Sequence, residues 1–281
     1  MKSNDMKIGF IGLGDQGEPM AHRILQAGWP LEVWARRPES LAPFASGHAG
    51  IAECPRELAA RVDILCFCTF GEQDLIDLLF REHDGALCGL TPGKTVVVHN
   101  TVSPDACRSI AARLRPRGID LLDAPVAGGR ERAFASQLAV MVGGEERVFA
   151  RCRPIFAAYA DPLVHLGPVG SGQAAKLINN ALMICNMELA DCAIAIAERL
   201  GLARHAVQDL LRQSSAASTA MDLLVAHDRG TRQAHSSGPA IIAKDVALFQ
   251  EMCAAQGVGP GELGHFGAAA SARAAALLRI G

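Results

Sequence analysis

The stretch that most constrains the fold runs from Lys7 to Gly17. Lys7-Ile-Gly-Phe-Ile-Gly12 reads as a short apolar strand, and Gly12-Leu13-Gly14-Asp15-Gln16-Gly17 follows without a break. A helical pattern then runs from about Glu18 to Ala27. Gly-x-Gly-x-x-Gly between a strand and a helix is the pattern of a dinucleotide-binding turn. The first glycine permits the tight turn, the second lets backbone approach a pyrophosphate, and the third packs helix on strand. Phosphates at such a turn sit on the helix N-terminus. Gly12, Leu13, Gly14, Asp15, Gln16 and Gly17 are therefore candidate cofactor contacts.

The second strand, Leu31 to Ala35, ends in Ala35-Arg36-Arg37-Pro38. An acidic residue here bonds the ribose 2′-hydroxyl of NAD, whereas arginine accommodates the 2′-phosphate of NADP. No Asp or Glu occurs between Ala35 and Pro38. The pattern predicts NADP(H) as preferred cofactor and NAD(H) as the lesser alternative. Arg36 is the leading contact and Arg37 its neighbour.

Further strands are predicted at Asp63–Cys68, Thr95–His99, Ile119–Asp123, Leu138–Val142 and Leu163–Leu166, with helices between the earlier ones. This alternation predicts an α/β Rossmann-like N-terminal domain with a mostly parallel sheet, residues 1–169. Loops at the carboxyl edge of such a sheet bind ligands. Thr69 and Thr101 lie in two of those loops and are candidate cofactor contacts, Thr101 on the nicotinamide side. After the fifth strand comes Asp123-Ala-Pro-Val-Ala127-Gly128-Gly129. Adjacent glycines expose backbone N–H groups able to hold an anion such as a carboxylate. Arg130 and Arg132 stand close by in sequence.

From Gly172 onward no strand pattern returns. Helical patterns cover about 173–200, 204–213, 217–227, 239–256 and 261–279, separated by glycine- and serine-rich turns. They predict an all-α C-terminal domain, residues 170–281, led by a long interdomain helix. That helix opens with Gly170-Ser-Gly-Gln-Ala-Ala-Lys176-Leu-Ile-Asn179-Asn180. Lys176 and Asn180 share one face, one turn apart. Their neighbours are mostly apolar, so the face is expected to turn inward. Burial of a lysine disfavours its charged form and suits it to exchange a proton near neutral pH. Lys244-Asp245 is the other charged pair in an apolar setting.

Composition excludes more than it selects. The net charge of -2 over 281 residues gives no footing for a nucleic-acid or anionic-membrane partner. No apolar run is expected to approach the ~20 residues of a membrane span. The N-terminal residues lack signal-peptide features. Nine cysteines are scattered without metal-ligand spacing, which predicts reduced thiols in a cytoplasm and no metal site.

Taken together, Gly9-Phe-Ile-Gly-Leu-Gly14 with Gly17, Thr101-Val-Ser-Pro104, Asp123-Ala-Pro-Val with Gly128-Gly129, Met141-Val-Gly-Gly144, Gly170-Ser-Gly172 with Lys176 and Asn179-Asn180, and Lys244-Asp245 resemble the β-hydroxyacid dehydrogenase family. This is the 3-hydroxyisobutyrate dehydrogenase and glyoxylate/succinic semialdehyde reductase group, and the resemblance covers essentially the whole chain. It implies reversible oxidation of a β-hydroxyacid, or reduction of a short aldehyde or keto acid, by a homodimer or homotetramer acting on a small molecule. Carried onto this chain, it implies that Lys176 is the acid/base and that Asn180 orients substrate. Gly128 and Gly129 would hold the carboxylate, with Ala127 beside them, and Thr101 and Lys244 would contact cofactor. The chain departs from the family at Ala127, where serine is usual, and at Arg132 and Ser136, where glycine is. It departs also at Gln16, at Thr69-Phe70 and at Ser237. Those at Ala127, Arg132, Ser136 and Ser237 alter the substrate side. Alternatives are an imine reductase-like enzyme of the same fold, which generally lacks the lysine, and a non-catalytic NADP(H)-binding protein.

Overall fold

The computed structural model describes residues 5–45, 48–228 and 238–278. The chain forms two compact units, Met1–Lys176 and Leu177–Gly281. The division falls inside a helix, where the sequence pattern sets it at Gly170.

The first unit runs β1 (Ile8–Ile11), α1 (Gly17–Gln26), β2 (Leu31–Trp34), β3 (Gly50–Ile51), α2 (Pro55–Arg61), β4 (Ile64–Phe67), α3 (Glu72–Phe80), β5 (Thr95–Val98), α4 (Pro104–Leu114), β6 (Asp120–Asp123), β7 (Val126–Ala127), α5 (Gly129–Phe134), β8 (Leu138–Gly143), α6 (Glu146–Phe156) and β9 (Ala160–Gly167). The strands form one sheet in the order β3-β2-β1-β4-β5-β6-β8-β7, with β9 paired to β8. All pairings from β3 to β6 are parallel, and β8 runs antiparallel to β6 and β7. The strand order reverses at β1, since β2 lies to one side and β4 to the other. That reversal is the switch point at which open α/β sheets bind ligands.

β1, β4 and β5 are buried along their whole length, as expected of parallel strands covered on both faces. Their side chains divide by the two-residue period of a strand. Ile8, Phe10, Ile64, Cys66 and Val97 join the layer of Met20, Ile24, Phe156 and Tyr159. Ile11, Leu65, Phe67, Val96 and Val98 join that of Leu58, Leu75, Ile110 and Leu114. Glycine shapes the β1–α1 turn: a Cβ on Gly12 would lie 2.3 Å from the Cys68 carbonyl oxygen, and one on Gly17 1.8 Å from that of Gly12. At α4, Ser103 accepts a hydrogen bond from the Ala106 N–H at 3.0 Å, with Pro104 and Asp105 in the first turn.

The long helix α7 (Ser171–Arg199) opens in the first unit and continues into the second. It is followed by α8 (Arg204–Arg212), α9 (Thr219–Asp228), α10 (Gly238–Ala255) and α11 (Gly261–Leu278). No strand follows β9 among the described residues. The helices pack through residues spaced by four, the spacing of one helix face. Leu177 and Ala181 meet Phe249 and Cys253, while Ala190 and Ile194 meet Met221 and Val225. Among the described residues α7 is the one helix long and apolar enough, by length and composition, to cross a membrane. Asn179, Asn180, Asn186, Glu188 and Asp191 interrupt it, so it contains no continuous apolar run of that length.

Candidate active site

The glycine loop between β1 and α1 carries Gly14, whose presence nothing inside the protein requires. Its φ is not positive, and a Cβ there would meet no atom within 4 Å. Gly12 and Gly17 are demanded by backbone contacts, whereas the space beside Gly14 is open. That space lets a pyrophosphate come close to the backbone, so the loop fits a dinucleotide.

At the end of β2, Arg36 and Arg37 are exposed. The sequence finds no acid near them, but the fold supplies one from the first turn of α3. Asp74 accepts a hydrogen bond from Arg36 at 2.6 Å, and this contact raises the Arg36 pKa above its ordinary value. Arg36 has five N–H donors, and this bond uses one.

The loops after β4, β5 and β6 are tied by a network of buried and half-buried groups. The Asn100 side chain accepts from the Thr69 N–H at 3.2 Å and donates to Thr69 Oγ1 at 2.5 Å and to the Gly71 carbonyl at 3.2 Å. Gln173, in the first turn of α7, is fully buried. Its Nε2 donates to the Asn100 carbonyl at 2.7 Å, and its Oε1 accepts from the Val102 N–H at 3.1 Å. Asp123, at the end of β6, is also fully buried. Its carboxylate accepts from the Gly170 N–H at 2.7 Å and the Gln173 N–H at 2.9 Å. A carboxylate at a helix N-terminus is favoured by the helix dipole. Burial nevertheless raises the Asp123 pKa, opposed by those N–H donors.

Lys176 lies one turn further along α7 and is buried, with 8 % of its surface exposed. In the second unit Asn180 donates to Asp245 at 2.6 Å and accepts from Asn179 at 3.1 Å. Lys244 Nζ stands 3.1 Å from the other oxygen of Asp245. Asp245 and Asn180 are buried, whereas the Lys244 side chain keeps 29 % of its surface exposed.

The segment expected as a loop after the fifth strand is partly a strand. Val126 and Ala127 pair with Val140 and Ala139, and two residues are too few for a visible alternating pattern. Gly128 and Gly129 follow with φ of 137° and 76°, conformations open to glycine but strained for other residues. Arg130, considered from sequence beside this loop, turns to the glycine loop instead. It pairs with Glu18 at 2.9 Å and donates to the Asp15 carbonyl at 3.3 Å. Ser136 occupies the left-handed region at φ 58°, where the family tends to have glycine, and its hydroxyl bonds the Ala158 carbonyl at 2.7 Å. Ser237 lies outside the described residues.

All nine cysteines are free thiols. Burial pushes Cys68 and Cys152 up to about 12, which makes them inert as nucleophiles. Among the described residues no cluster of His, Cys, Asp and Glu could hold a metal.

The model for the NAD-binding domain of 6-phosphogluconate dehydrogenase matches residues 7–167. That for the NAD-binding region of NADP-dependent 3-hydroxyisobutyrate dehydrogenase matches residues 170–277. The chain belongs to the β-hydroxyacid dehydrogenase family. It is similar to the NAD-dependent L-serine dehydrogenase of Pseudomonas aeruginosa, 32% identical over 87% of this chain and 84% of that protein. Among solved structures it is similar to the 3-hydroxyisobutyrate dehydrogenase of Salmonella typhimurium, with a TM-score of 0.86 and 26% identity over 99% of this chain and 95% of that one. An imine reductase from Myxococcus stipitatus shares the fold alone, with a TM-score of 0.68 at 19% identity over 97% of this chain and 94% of that one. As a β-hydroxyacid dehydrogenase the chain is an NAD(P)-dependent oxidoreductase. The residues matched to family motifs from sequence fall on the glycine loop, on the sheet's carboxyl edge and on α7 and α10. Asn100, Gln173 and Asp74 were missed.

Proposed function

We propose that the chain interconverts a small anionic β-hydroxyacid and its carbonyl partner, with NADP(H) preferred and Lys176 as general acid/base. The observation that carries this reading is Lys176 itself. It is a buried lysine in the opening turns of a helix whose N-terminal end is held to the sheet edge by Asp123. A nicotinamide, when bound, supplies or accepts the hydride. The glycine loop and Thr69 would hold the dinucleotide, with Thr101 at its nicotinamide side, Arg36 at its 2′-phosphate and Lys244 as a further contact.

In reduction, negative charge grows on the carbonyl oxygen, and the Lys176 ammonium donates a proton to it. In oxidation, the neutral amine takes the hydroxyl proton. Asn180, one helical turn from Lys176, orients the same oxygen. The substrate carboxylate rests on the N–H groups of Gly128 and Gly129, because Ala127 brings no hydroxyl. L-serine and 3-hydroxyisobutyrate, named for the two relatives, both carry a hydroxyl on the β-carbon, which supports that substrate class. Exposed Ile178, Leu182, Leu189 and Ile196 on α7 support a homodimer or homotetramer, and the free thiols support a cytoplasmic site.

The test is a spectrophotometric screen of NADPH and NADH oxidation against short aldehydes, 2-keto acids, β-keto acids and cyclic imines. Turnover with a β-carbonyl acid or short aldehyde, faster with NADPH, is expected. Turnover confined to cyclic imines, or preference for NADH, contradicts it.

A further inference from the structure

The side chain of Gln173 reads both flanks of Thr101. It donates to the carbonyl of Asn100 and accepts the N–H of Val102, so it pairs with the backbone on either side as a neighbouring strand would. Its own N–H is held by Asp123. Asn100, whose carbonyl it takes, fixes the β4 loop through Thr69 and Gly71. One residue of α7 is thereby joined to the loops following β4, β5 and β6. Gln173 has no exposed surface, so it touches neither cofactor nor substrate. Any effect it has on a ligand passes through the groups it holds.

We propose that Gln173 is a positioning residue that sets Thr101 in register with Lys176, three residues further along the same helix, and so orders the nicotinamide end of the site without touching it. This rests on the reading of Thr101 as a nicotinamide-side contact. A single amide performs the task because it offers a donor and an acceptor at fixed spacing, which match one carbonyl and one N–H of an extended backbone. A carboxylate in its place would accept from Val102 but set a negative charge against the Asn100 carbonyl. A protonated carboxyl would restore both bonds.

The test compares two ligands by calorimetric titration: NADPH, and 2′-phospho-ADP-ribose, which lacks the nicotinamide. Wild type, Gln173→Leu and Gln173→Glu are measured at pH 6 and pH 8, with thermal melting on each preparation. Loss of two neutral hydrogen bonds corresponds to roughly a 10-fold effect. The expected result is a loss of that order for NADPH with the fragment within about twofold of wild type. In Gln173→Glu alone the loss should shrink at pH 6. That variant also keeps the test open should Gln173→Leu fail to fold. Equal weakening of both ligands, or of neither, in a folded variant makes Gln173 a packing residue only and overturns the inference. A wild type that binds neither ligand instead overturns the dinucleotide reading beneath it.

Discussion

His99 lies inside the sheet at the end of β5, 3% exposed. Burial lowers its pKa from 6.5 to about 4, only partly opposed by its bond to Ala124. The ring is therefore neutral near pH 7. Nδ1–H donates to the Ala124 carbonyl at 2.7 Å, and Nε2 accepts from the Tyr159 hydroxyl at 3.2 Å. Phe10 and Phe156 pack around it. Because the folded pKa lies below the unfolded one, the unfolded chain binds more protons between pH 6.5 and 4. Stability from neutral His99 is fully present above pH 6.5 and is lost as pH falls through about 4. Linkage over that shift gives a loss of about 2 kcal/mol at pH 5 and about 3 kcal/mol at pH 4. Asp123 acts in the opposite sense, since its raised folded pKa favours the folded state at low pH. A difference between wild type and His99→Gln cancels Asp123 and every other shared group. Both tryptophans, Trp29 and Trp34, lie in the same unit as His99, so urea unfolding followed by their fluorescence reports that unit. The gap in unfolding free energy between the two proteins should be constant above pH 7 and narrow by about 3 kcal/mol toward pH 4. A gap that stays flat across that range would mean that His99 titrates alike in folded and unfolded chains, and the buried neutral imidazole would be refuted.

Gly14→Ala should leave the melting temperature unchanged, because its Cβ meets nothing in the chain. It should weaken NADPH binding by roughly 1–3 kcal/mol, the scale of an overpacked contact, as read by fluorescence titration. A variant that binds as wild type removes Gly14 from the phosphate site. Arg36→Asp should cost roughly 1.5–3 kcal/mol of NADPH affinity, the scale of a charge-assisted hydrogen bond, with little change for NADH. Asp74→Asn should strengthen NADPH binding by about 0.2–1 kcal/mol, since an exposed ion pair then no longer competes for Arg36. The same titrations of wild type must favour NADPH, or Arg36 is only a surface cation.

Much of the fold was legible because its signals are local. The glycine run sits between an apolar strand and a helix, and the glycine and serine breaks place the ends of α7 to α11 within a few residues of those found. β3 and β7 were not legible, because two residues give no period. The antiparallel turn of β8 was hidden too, since pairing direction leaves no mark on a single strand. At the site, residue identities came from motif spacing, while the bonds among them could not. Gln173 reaches Asn100 and Val102 across more than 70 positions, and Asp123 reaches Gln173 across 50. Asp74 answers Arg36 from 38 positions away, so the basic turn after β2 read as unopposed. Arg130 stands beside the glycine pair in sequence, yet its side chain bonds α1 and the glycine loop.

The central claim is that Lys176 moves the proton. Turnover and thermal melting of Lys176→Met, measured on one preparation with the best substrate from the carbonyl screen, test it most directly. A general acid/base contributes roughly 10²- to 10⁴-fold, so turnover should fall by about that much. Melting and NADPH affinity should stay near wild type, because the glycine loop and Arg36 are untouched. A folded Lys176→Met enzyme that keeps most of its turnover would contradict the assignment, and with it the proposed reaction.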